Sequence, residues 1–127
     1  MRVNIAPLPS PVFLNLWRFH GIGGVLLVVV ALFELHIEFA HSLKEKRMVV
    51  KSLRDKLSHT FKVATNEVAL HDVHQQSRLA VSFITLEHAQ ADGLLDKIID
   101  FIESNTDARL AGWTSEKLEF DPMAGLS

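Results

Sequence analysis

The 127-residue chain contains no cysteine, so no disulfide can staple it and no thiol is available as a nucleophile. That absence is compatible with a reducing cytoplasm, the location expected for this chain. Long apolar runs are lacking too. Counting glycine, the longest is the thirteen residues 21–33, which Glu34 ends well short of the ~18 to 20 needed to span a bilayer. The apolar centre at 25–33 then continues into Glu34-Leu35-His36-Ile37, where a secretory leader would carry a small-residue cleavage site. No membrane span is expected. There is no Gly-x-Ser-x-Gly elbow and no P-loop, and Gly21-Ile22-Gly23-Gly24 precedes a strand instead of joining a strand to a helix. Phe83 lacks the aromatic-rich surroundings of a base-stacking sheet. These absences weigh against nucleophilic catalysis, dinucleotide binding and sequence-specific base reading. A non-enzymatic protein without a cofactor is expected.

What is present is enough for one domain with an ordinary core, at 48% hydrophobic and 22% charged residues. Residues 1–24, with Pro7, Pro9 and Pro11 before an apolar 12–19 segment and then three glycines, read as an N-terminal extension or an overlong gene start. From Val25 the odd positions through Phe39 are all apolar, the period-two signature of a strand. Its other face begins apolar with Leu26, Val28, Val30 and Leu32 and then turns polar with Glu34, His36 and Glu38. The apolar half therefore calls for a cover, either the extension or a second subunit.

A helix follows. Ser42 with Glu45 three residues later is a capping box, the hydroxyl taking a first-turn amide and the carboxylate reaching back to the Ser42 amide. Leu43, Val49, Val50, Leu53 and Leu57 form an apolar stripe, with Lys44, Lys46, Arg47, Lys51, Arg54 and Lys56 largely outside it. Residues 42–62 hold seven Lys/Arg and two Asp/Glu, a local +5 in a chain of net charge −2. Residues 62–70 and 78–86 then read as a hairpin around the polar stretch 71–77. Ala91, Leu94, Leu95, Ile98, Ile99 and Ile102 repeat at helical spacing, with Thr85 or a neighbour as cap; Asp92, Asp96, Asp100, Glu103 and Asp107 make this helix acidic. Residues 109–120 form a last strand and 121–127 a tail. The order strand, helix, strand, strand, helix, strand folds through right-handed crossovers into an α+β, ferredoxin-like βαββαβ sandwich. It has a four-stranded antiparallel sheet with both helices on one face. The basic and acidic helices are expected side by side, partly satisfying each other's charge.

Leu35-His36-Ile37, then Ser42-Leu43-Lys44-Glu45-Lys46-Arg47 and Val49-Val50-Lys51-Ser52-Leu53, resemble the YlxP-like bacterial family of unknown function. Glu67-Val68, Asp72, Gln75, Leu95-Asp96-Lys97 and Phe101-Ile102-Glu103 match at the same relative places, and the resemblance covers about 26–120. It implies the same ferredoxin-like fold and a domain of about 25–120. Ser42, Glu45, Glu67, Asp72 and Gln75 are its matched polar positions. Where the family usually shows Trp-Gln-Arg, this chain has His74-Gln75-Gln76.

The family's frequent encoding beside translation and ribosome-maturation genes, and the basic helix, point to RNA or a ribonucleoprotein as partner. The candidate contacts are Lys44, Lys46, Arg47, Lys51 and Arg54. The plainer reading is a solvated helix face. A self-associating or small-ligand-sensing module is the alternative, with the apolar second face of the first strand as the interface of a homo-oligomer. His71, Asp72 and His74 supply only three ligand-type side chains in one loop and read as an ordinary polar turn, with no metal expected. The acidic pair Glu67 and Asp72 reads as hairpin-orienting or as a partner of the basic helix, in preference to acid/base chemistry.

Overall fold

The computed structural model describes residues 25–104 and 107–125; the expected N-terminal extension lies outside the described residues. Strand β1 (Leu26–His36) leads into helix α1 (Leu43–Phe61), followed by β2 (Ala64–Ala69), β3 (Gln76–Thr85), helix α2 (His88–Ser104) and β4 (Arg109–Phe120). All pairings are antiparallel and the strand order is β2-β3-β1-β4, the ferredoxin-like α+β arrangement expected. β1 is a central strand, paired with β3 on one side and β4 on the other, and every odd position from Leu27 to Leu35 is wholly buried. These residues meet Val50, Leu53 and Leu57 of α1 and Ala91, Leu95, Ile98 and Ile102 of α2 in one core, the apolar stripes that the 3.6-residue period supplies. Phe61 and Phe101 join the two helices edge to face, with ring centroids 5.5 Å apart.

The even positions of β1 lie on the opposite, open face of the sheet. Val30 is 40% exposed there, and Ile84 and Phe120 on the neighbouring strands are 66% and 45% exposed.

Three local expectations change. β1 stops at His36, because Ile37 to Ala40 form a turn (Ala40 N–H to Ile37 carbonyl, 3.1 Å) that turns Phe39 outward to 52% exposure. α2 begins at His88, and the Thr85 hydroxyl donates to the Glu87 carbonyl at 3.2 Å instead of accepting from a first-turn amide. The acidic helix directs charge to β4, where Lys117 meets Asp92 and Glu119 meets His88, while Lys51 of the basic helix pairs with its own Asp55. At the far end of the chain, Asp121 to Gly125 form a turn closed by the Ala124 N–H to Asp121 carbonyl bond.

Candidate functional site

The start of α1 is built as its sequence requires. The Ser42 hydroxyl accepts from the Glu45 amide at 3.1 Å, and the Glu45 carboxylate reaches back to the His41 amide at 2.7 Å, one residue beyond the expected Ser42 amide. The next residue departs from expectation altogether. Lys46 lies on the apolar stripe with Val50, Leu53 and Leu57, and its side chain is 0% exposed. A buried ammonium must spend its three N–H donors on nearby oxygens, or it pays a desolvation cost of several kcal/mol. Its Nζ donates to the carbonyls of Leu70 (2.8 Å) and His71 (3.1 Å), with Gln76 at 3.3 Å, and lies 3.1 Å from the Glu67 carboxylate. The Ser77 hydroxyl donates to the same Glu67 oxygen at 2.6 Å. Burial pushes the Glu67 carboxyl up, but the Ser77 hydroxyl and the Lys46 ammonium together outweigh it and hold the group below the ordinary glutamate value of 4.5.

Lys46 is therefore not a surface cation, and it leaves the set of candidate RNA contacts. It is the pin that fastens α1 to β2 and to the β2–β3 loop. Leu70 adopts a left-handed backbone (φ 63°), which is costly for leucine, and its carbonyl is one of those held by Lys46. Gln75 supplies a second fastening. Its side-chain amide donates to the carbonyls of Glu38 (2.9 Å) and Ala40 (3.2 Å), on either side of Phe39, while its own carbonyl accepts from the Ile37 amide (2.8 Å). Of the matched polar positions, Ser42, Glu45, Glu67 and Gln75 thus converge on one end of the domain, tying the β1–α1 and β2–β3 loops into a single unit. Asp72 sits exposed at the tip of that unit.

On the outer side of α1, Lys44, Arg47 and Lys51 are exposed and follow one another at i, i+3 and i+7. Arg54, at i+10, is half-buried and turned toward β2, where its guanidinium donates to the Thr65 carbonyl (3.2 Å) and hydroxyl (3.4 Å). His71 Nε2 donates to the Glu67 carbonyl at 3.0 Å. Two backbone acceptors of edge strand β2 are capped in this way, which blunts the edge against pairing with another strand.

The open face carries a second polar group that periodicity does not reveal. Glu34 accepts from Arg78 on β3 (2.9 Å) and from His36 two residues along β1 (2.9 Å). Arg109 on β4 donates to His36 Nδ1 (3.0 Å) and to Glu38 (2.7 Å). A guanidinium can only donate, so Nδ1 must accept and the ring proton sits on Nε2; the neutral tautomer is assigned by its partners. The His36 hydrogen bond and then Arg78 lower the Glu34 carboxyl, and Arg109 lowers Glu38. Next to this chain the β1–β4 register slips. Glu34 faces Gly112 and Leu35 faces Leu110, so Ala111 is an extra, bulged residue. A cavity of ≈ 320 Å³ opens there, lined by Leu32, Glu34, Arg78 and residues 111–114. The alternating polarity of β1 was visible in the sequence, but the cross-strand partners and the bulge depend on register and were not.

Comparison with known proteins identifies a family for this chain. The family described as a protein of unknown function, DUF503, matches residues 28–114, from early β1 into β4. The uncharacterized protein YlxP of Bacillus subtilis (strain 168) is 29% identical over 65 residues, covering 51% of this chain and 71% of the relative. With more than half of its length matched, from the first strand to the last, this chain belongs to the DUF503 family of YlxP-like proteins.

Proposed function

We propose that the protein is a non-catalytic cytoplasmic module that meets the phosphate backbone of RNA, free or in a ribonucleoprotein, through the outer side of α1. The observation behind this reading is the exposed row Lys44, Arg47 and Lys51, with Arg54 at its inner end. At 1.5 Å per residue, Lys44 to Lys51 spans ~10 Å of helix, enough to meet two consecutive phosphates. Phosphate contact releases counterions, so affinity must fall steeply with salt. The test is fluorescence anisotropy with structured ribosomal RNA fragments across a salt series, comparing the full chain with a Lys44→Ala, Arg47→Ala, Lys51→Ala variant. Lys46 stays in place because removing it tests folding. The expected result is binding whose logarithmic salt slope shrinks by ~2 in the variant, at ~0.7 to 0.9 per phosphate contact. No binding at low salt, or an unchanged slope, rejects the proposal.

A second reading is favoured by the open face, where Val30, Ile84 and Phe120 present apolar side chains to solvent. In this reading two copies pack those faces together as a homo-oligomer. Light scattering would then show a dimer that is indifferent to salt and is split by Val30→Lys. A monomer at all concentrations would dismiss it.

A further inference from the structure

The bulge cavity on the open face is independent of the α1 surface, and its chemistry points to a ligand of its own. Arg78 commits Nη2 to Glu34 and leaves its other guanidinium N–H groups without partners among the described residues; its side chain is 40% exposed. Glu34 is locked in orientation by Arg78 on one oxygen and His36 on the other, and its charge is maintained because both bonds lower its carboxyl. A fixed cation and a fixed anion therefore stand 2.9 Å apart at one wall of the cavity. Leu32 provides an apolar surface, and Thr114, directly across from it, adds a hydroxyl. Where Glu34 faces β4 the residue is Gly112, and a Cβ built there meets nothing within 4 Å, so the space beside the ion pair is open. The bulged Ala111 adds backbone polar groups outside the regular ladder.

We infer that this cavity binds a small α-amino acid as its zwitterion, the carboxylate on the free side of Arg78, the ammonium on Glu34 and the side chain over Leu32. Neither half of such a ligand is enough alone. An isolated carboxylate gains Arg78 but is repelled by Glu34, and an isolated amine meets the reverse, whereas the zwitterion satisfies both without leaving net charge in the site. The volume falls at the lower end of the range for small-molecule sites, which suits a ligand of amino-acid size. The cavity is a site on the face and does not enclose its ligand, so affinity in the millimolar range is expected.

The test is a ¹⁵N-HSQC titration of the full chain with glycine, L-alanine and L-leucine, with propionate and ethylamine as the two half-ligands. Saturable shifts at the Glu34, Arg78, Gly112 and Thr114 amides are expected with the amino acids, at least ~10-fold weaker with either half-ligand. Gly112→Leu fills space where nothing clashes, so it should leave the spectrum folded and weaken binding ~10-fold or more. Arg78→Met should do the same through loss of the carboxylate contact. The inference is overturned by the absence of saturable shifts at ~10 mM amino acid, by propionate binding as well as alanine, or by binding unchanged in Gly112→Leu. RNA titrations of the same samples report on α1 separately, so failure of one reading leaves the other measurable.

Discussion

Ser77 and Arg78 are neighbours in sequence, yet the pleat of β3 sends them to opposite faces and into two different electrostatic systems. Ser77 enters the buried group with Glu67 and Lys46 under α1; Arg78 enters the exposed chain with Glu34, His36, Arg109 and Glu38. Both contain a cation and a carboxylate about 3 Å apart. What differs is water. In the buried group every lost partner leaves a desolvated donor or acceptor behind, whereas on the open face solvent replaces a lost partner at little cost. The first system therefore holds the fold together, and the second is available for binding.

Lys46→Met breaks this contrast most severely. It strips Glu67 of its cation and three backbone carbonyls of their donor, with an expected loss of ~3 to 5 kcal/mol in denaturant unfolding. Lys44→Met, two residues away on the exposed surface, should shift the same midpoint by no more than a few tenths of a kcal/mol. Equal effects from the two would mean that Lys46 is not buried in solution. The next largest loss is expected from Ser77→Ala, at ~1 to 3 kcal/mol, because Glu67 then loses its 2.6 Å donor in a protected site. Ser115 is the counterpart. It is equally buried, but its hydroxyl has no partner among the described residues, so Ser115→Ala should raise stability by up to ~1 kcal/mol. Thermal melts of the two alanine variants should therefore move in opposite directions.

The βαββαβ order could be read from the sequence because it rests on period: two for the odd positions of β1, 3.6 for Leu53, Leu57, Leu95 and Ile98. The role of Lys46 could not. By composition it is one more cation in a basic helix, and only its phase with Val50, Leu53 and Leu57 places it on the core side. That phase was available in the sequence, but a lysine is so rarely buried that the charge outweighed the geometry. The Ser42–Glu45 cap was legible down to the motif, and missed only which amide Glu45 would take, since that depends on the turn Gln75 imposes on residues 37–40. The Glu34–Arg78 pairing and the Ala111 bulge lie beyond any local pattern, because they depend on strand register across more than 40 residues.

The finest distinction between the two systems is their response to acid. Glu67, Glu34 and Glu38 are all held below 4.5, so each contributes stability that is present above the unfolded-state value and is lost as pH falls through the folded one. The contribution of these three carboxylates to the unfolding midpoint should therefore be fully present near neutral pH and decline below about pH 4.5. Glu67→Gln should lower stability at neutral pH and flatten part of that decline, with the remaining effect insensitive to salt because the site is protected from solvent. Arg109→Met, which releases Glu38 and His36 on the open face, should scarcely move the neutral midpoint, and whatever acid dependence it removes should already be absent at high salt. If salt instead erased the Glu67 contribution and spared that of Arg109, the assignment of buried and exposed systems would be reversed.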